Sequence, residues 1–105
     1  MDRWLRIAAV DECPPGEARE FVAGGQIVAL FNVDGRFYAL DGACPHQGGP
    51  LGQGSLQGHL VTCPWHGWRF DVRDGRHQAN PSLKHPCFAV KVAEGEVFVR
   101  CSEPP

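Results

Sequence analysis

The chain has 105 residues, an apolar fraction of 43%, and 10 Lys and Arg against 12 Asp and Glu. That length suits one domain over residues 1–105 with a modest core. The slightly negative balance excludes a nucleic-acid binder that relies on a basic footprint. No run approaches the roughly 18 apolar residues of a membrane span, and residues 1–6 lack the apolar stretch of a signal peptide, so a cytoplasmic location is expected.

Thirteen Gly and nine Pro predict short strands and many turns. Residues 4–8 read as a first strand, closed by Pro14-Pro15-Gly16. Residues 20–22 read as a short strand before Gly24-Gly25. Residues 26–33 are rich in β-branched and aromatic side chains, and Asp34-Gly35 joins them to a strand at 36–40. Two apolar runs around an Asp-Gly pair signal a hairpin. Residues 60–62 and 68–72 read as strands, the latter followed by Asp74-Gly75. The hairpin grammar recurs at 88–92, Glu94-Gly95 and 96–100. Residues 15–23 are too short and too Gly-bounded for a helix, and 102–105 read as a loosely held tail. The fold class is all-β, with antiparallel strands at the spacing of a small barrel or sandwich.

Two loops between these strands carry the chemistry: Cys44-Pro-His46-Gln47-Gly48 and Cys63-Pro-Trp65-His66-Gly67-Trp68. Each pairs one thiolate with one imidazole, so Cys44, His46, Cys63 and His66 are the candidate ligands. This division suits two irons in different ligand fields better than one metal. A tetrahedral zinc site in an interaction module uses the same four donors and stays open, although zinc motifs usually pair Cys with Cys and His with His. Pro45 and Pro64 stiffen the loops. Of five cysteines, Cys13, Cys87 and Cys101 remain, without the spacing of a disulfide framework, and read as small, partly buried thiols. His59, His77 and His85 read as surface or turn residues. No nucleophile elbow or phosphate-binding loop is present, and the chain has no room for a mononuclear-iron catalytic domain. These features point to an electron carrier, not an enzyme.

The double motif, Cys-x-His followed after sixteen residues by Cys-x-x-His, resembles that of the Rieske-type [2Fe–2S] ferredoxins. The resemblance is to the ferredoxin components of bacterial aromatic-ring-hydroxylating dioxygenase systems. It implies a small Rieske-type iron–sulfur fold of antiparallel strands with two cluster-binding loops. It also implies one [2Fe–2S] cluster, with Cys44 and Cys63 on the iron that stays ferric and His46 and His66 on the iron that is reduced. The implied partners are a flavoprotein NAD(P)H reductase and a terminal oxygenase, docking transiently near the His46/His66 edge of a monomer. Gln47, Pro50 and Leu51 fall where the rim of that edge would lie, Trp65 is a candidate contact, and Asn80-Pro81-Ser82 resembles the loop that covers the cluster. A second reading within the family is a small subunit of an assimilatory nitrite reductase. Respiratory Rieske proteins have a disulfide between the loops, and a Ser and a Tyr that bond cluster sulfurs. Here Gly49 or its neighbours and Trp65 stand at the disulfide positions, and Trp68 and Phe70 replace the hydroxyls.

Overall fold

The computed structural model describes residues 3–42, 50–65, 67–80 and 82–101. Among the described residues nine strands form two antiparallel sheets: β1 (Arg3–Ala9), β2 (Ala18–Ala23), β3 (Gln26–Val33), β4 (Arg36–Asp41), β5 (Ser55–Gln57), β6 (Leu60–Thr62), β7 (Arg69–Asp71), β8 (Cys87–Ala93) and β9 (Glu96–Cys101). The larger sheet has the order β1-β9-β8-β4-β3-β2 and the smaller β5-β6-β7. Two single 3₁₀ turns, Val10–Glu12 and Leu51–Gln53, are the helical structure among the described residues.

The hairpins follow from local backbone preference. Asp34 and Gly35, and likewise Glu94 and Gly95, have positive φ (51° and 92°, 52° and 78°). This is the mirror-image turn that matches the twist of paired strands. The register then runs Val33↔Arg36 in one hairpin and Ala93↔Glu96 in the other.

β3 explains why residues 26–33 are rich in β-branched and aromatic side chains. Its side chains alternate between two cores. Val28 and Leu30 join Ile7, Ala8, Cys13, Ala23, Ala39, Val97 and Val99 within the larger sheet. Ala29, Phe31 and Val33 face the other way, onto Leu40, Leu51, Val61, Cys63, Phe70 and Val72. Burying each large side chain of this second core contributes about 1.5–3 kcal/mol. The second core joins the two sheets, and it holds Cys63 and Leu51, which closely follows the first candidate motif.

Candidate metal centre

The first ligand segment is clamped at its foot. Gly42 follows β4, and its N–H donates to the Ile27 carbonyl at 2.9 Å while its own carbonyl accepts from the Leu51 N–H at 3.0 Å. Leu51 is fully buried in the second core. It is therefore a core residue and not the rim residue expected from sequence. Residues 43–49, with Cys44, His46 and Gln47, lie outside the described residues.

The second segment caps a hairpin. Thr62 pairs with Arg69, and one step beyond the Cys63 N–H donates to the Trp68 carbonyl at 2.7 Å, closing a tight loop over 63–68. Cys63 is buried beside Leu51 in the second core. Pro64 and Trp65 are exposed, Trp65 by 49%. The loop therefore holds its thiol inward and presents its apolar rim to solvent. His66 lies outside the described residues.

A third segment packs against the second. The Gln78 N–H donates to Arg69 O at 2.9 Å, and the His77 N–H to Leu83 O at 2.9 Å. His77 Nδ1 accepts from the N–H groups of Ala79 and Asn80, both at 3.1 Å, and the Ser82 hydroxyl donates to Asn80 Oδ1 at 2.7 Å. The His77 ring stands edge-on to Trp68 (4.8 Å between centroids) and Phe70 (5.3 Å). His77 is thus the turn residue expected, with the added task of bracing the aromatic wall behind the second loop. Pro81 lies outside the described residues.

Three expectations need correction. His85 is buried, 4% exposed, with Nε2 at 2.8 Å from the Asp41 carbonyl and its ring against Phe70. It follows Lys84 and precedes Pro86, a setting with no apolar periodicity to reveal burial. The Gly75 carbonyl accepts from the His85 N–H at 2.7 Å, and Gly75 has φ +79°. A Cβ at Gly75 would run into the His85 carbonyl, so only glycine permits this approach. Cys13 is fully buried, not partly, and its Sγ lies 3.4 Å from Glu17 O and 3.7 Å from Leu30 O. Burial pushes its thiol up to about 11. Cys87 is instead exposed, and neither is in a disulfide. His59 is half-buried in the β5–β6 turn, its ring edge-on to Tyr38.

Charge near the site is partly neutralised. Arg73 grips Asp71 with two bonds of 3.0 and 2.7 Å, and this hydrogen-bonded fork holds the Asp71 carboxyl below the usual carboxylate range. Among the described residues no three potential ligands converge on one point. Of the four expected ligands only Cys63 is described. Its environment fits the group the sequence implies: an inward thiol on an apolar floor shared with the anchor of the other ligand segment.

The Rieske [2Fe–2S] domain profile matches residues 3–99. The biphenyl dioxygenase ferredoxin subunit of Pseudomonas sp. (strain KKS102) is 41% identical over 90 residues, covering 85% of this chain and 79% of that protein. A solved complex of reduced oxygenase and oxidised ferredoxin in carbazole 1,9a-dioxygenase contains a chain of like fold. It has a TM-score of 0.81 and 34% identity, with 91% of each chain covered. A putative NADH-dependent nitrite reductase small subunit from Mycobacterium tuberculosis superposes with a TM-score of 0.89 at 25% identity, with 99% of each chain covered. The chain belongs to the Rieske [2Fe–2S] domain family, and its cofactor is a Rieske [2Fe–2S] cluster.

Proposed function

We propose that this chain is a one-electron carrier, passing electrons from a flavin-dependent NAD(P)H reductase to a terminal oxygenase, an aromatic-ring dioxygenase. Cys44 and Cys63 would hold one iron, and His46 and His66 the other. When bound, the cluster supplies a single one-electron site whose potential is set by its mixed thiolate and imidazole ligation. The observation that carries the reading is the shared floor of the two ligand segments, where Leu51 and Cys63 are buried in one core. Cys63 is kept from water there, while the Pro64-Trp65 rim stays open to a docking partner. The ferredoxin relatives, matched over most of their length, support the same role.

The likeness to a nitrite reductase small subunit over nearly the whole chain favours one alternative, a redox subunit held in a larger enzyme. Anaerobic titration and gel filtration separate the two. A carrier takes up one electron per chain, is reduced by NADH through a separate flavoprotein, and elutes as a monomer. Failure to take up an electron would contradict either redox role, and co-purification in a stoichiometric complex would favour the subunit.

A further inference from the structure

An open cleft of about 470 Å³ lies beside the second ligand loop, lined by Gly67, Trp68, Arg69, His77, Gln78 and Ala79. Among the described residues no acidic side chain lines it. His77 Nδ1 already accepts two backbone N–H bonds, so the neutral ring carries its proton on Nε2 and can donate only from there. Arg69 is exposed and has no ion-pair partner among the described residues.

The surrounding charge is one-sided. Residues 42–86 hold four basic side chains, Arg69, Arg73, Arg76 and Lys84, against Asp71 and Asp74. Both of these carboxylates already face arginines: Asp71 pairs with Arg73 at 2.7 Å, and Asp74 lies 3.6 Å from Arg76. Arg69 and Lys84 are left without an ion pair among the described residues. The rest of the chain is the reverse, with six basic residues against ten acidic. A net charge of −2 therefore coexists with a basic excess along residues 42–86, of which Arg69 lines the cleft. At physiological ionic strength charges are felt over only about 8 Å, so a partner group at the cleft responds to Arg69 and its neighbours and not to the net charge.

We infer that the cleft between Trp68-Arg69 and His77-Gln78-Ala79 seats a carboxylate side chain from an acidic docking surface on a redox partner protein. The Arg69 guanidinium is suited to a bidentate carboxylate, and Lys84 adds to the attraction that steers encounter. The inference rests on the reading of this chain as an electron carrier.

Two measurements on the purified holoprotein test it. Stopped-flow oxidation of the reduced protein by ferricyanide, an anion, should slow as ionic strength rises from about 10 to about 300 mM, the sign of attraction. The variants Arg69→Glu and Lys84→Glu should each lower the low-salt rate on the order of tenfold and flatten or reverse the slope. A wild-type rate that rises with salt, as the net charge demands, would overturn the inference, and so would a slope untouched by either variant. Titration of the oxidised protein with pentaglutamate, followed by NMR, should shift the amide signals of Gln78 and Ala79 in wild type and not in Arg69→Glu. Absence of that shift would also overturn it. A protein without an EPR signal on reduction would refute the carrier reading, while the pentaglutamate titration would still decide the charge preference of the cleft.

Discussion

The Nε2 of His85 lies 2.8 Å from the carbonyl oxygen of Asp41, linking the segment that follows the third loop to the foot of the first ligand segment. The His85 side of the contact is buried, and His85 also packs against Phe70, whose strand carries the second candidate ligand loop. One ring therefore touches the supports of both ligand segments. Its Nδ1 is buried without a hydrogen-bond partner, so the bond to Asp41 fixes the tautomer with the proton on Nε2.

Removing that donor should cost the half-buried Asp41 carbonyl its His85 partner. The variant His85→Leu is expected to lose about 1–3 kcal/mol of stability, which for a domain of this size lowers the melting midpoint by roughly 4–8 °C per kcal/mol. The variant His85→Gln, which keeps a donor, should lose less. Thermal melts of the oxidised holoproteins check the order, and equal losses in both variants would assign the effect to packing alone.

The Cys13 thiol, raised by burial to about 11, makes stability depend on alkaline pH. The folded chain holds this proton above the ordinary thiol value of 9.0, whereas the unfolded chain releases it there. The contribution is therefore complete below pH 9 and is lost as pH rises toward 11. Over that window the slope for one proton is about 1.4 kcal/mol per pH unit. Denaturant midpoints from pH 8 to 11 should fall more steeply in wild type than in Cys13→Ala. A thiol reagent at neutral pH should label the exposed Cys87 and leave Cys13 unmodified.

The aromatic wall behind the second loop sets the expected potential. Trp68 and Phe70 stand where the respiratory pattern has hydroxyls, and Phe70 is fully buried against His77 and His85. Hydrogen bonds to cluster sulfur favour the reduced, more negative state, so their absence predicts a midpoint on the order of −150 mV, at the low end of the Rieske range. The variant Phe70→Tyr should raise it. Protein-film voltammetry measures both, and a wild-type midpoint above about +100 mV would contradict this role for Trp68 and Phe70.

Much of the fold was legible because its signals are local. Asp34-Gly35 and Glu94-Gly95 dictate left-handed turns whatever surrounds them, and the strands beside them follow. The stretch at 26–33, rich in β-branched and aromatic residues, is a strand whose residues 28–33 are buried on both faces. Other features are set by the tertiary fold. Residues 55–57 carry no β signal beyond a single Leu, and form β5 because β6 offers its edge. Leu51 looked like a rim residue because it closely follows the first ligand motif, yet the 3₁₀ turn there directs it into the core. The interior site of His85 is hidden from sequence for the same reason, since it is made by the approach of Gly75 and Asp41. The candidate ligands are proposed from type and spacing, which chemistry constrains more tightly than packing does, and of them Cys63 alone is described.

Mixed ligation by Cys44, His46, Cys63 and His66 is the central claim, and pulsed EPR of the dithionite-reduced protein tests it most directly. The expected spectrum is that of one reduced [2Fe–2S] cluster per chain, strongly coupled to two nitrogen nuclei. Substituting His46 or His66 should abolish that two-nitrogen pattern. A cluster without nitrogen coupling, or a colourless protein holding one zinc, would contradict it.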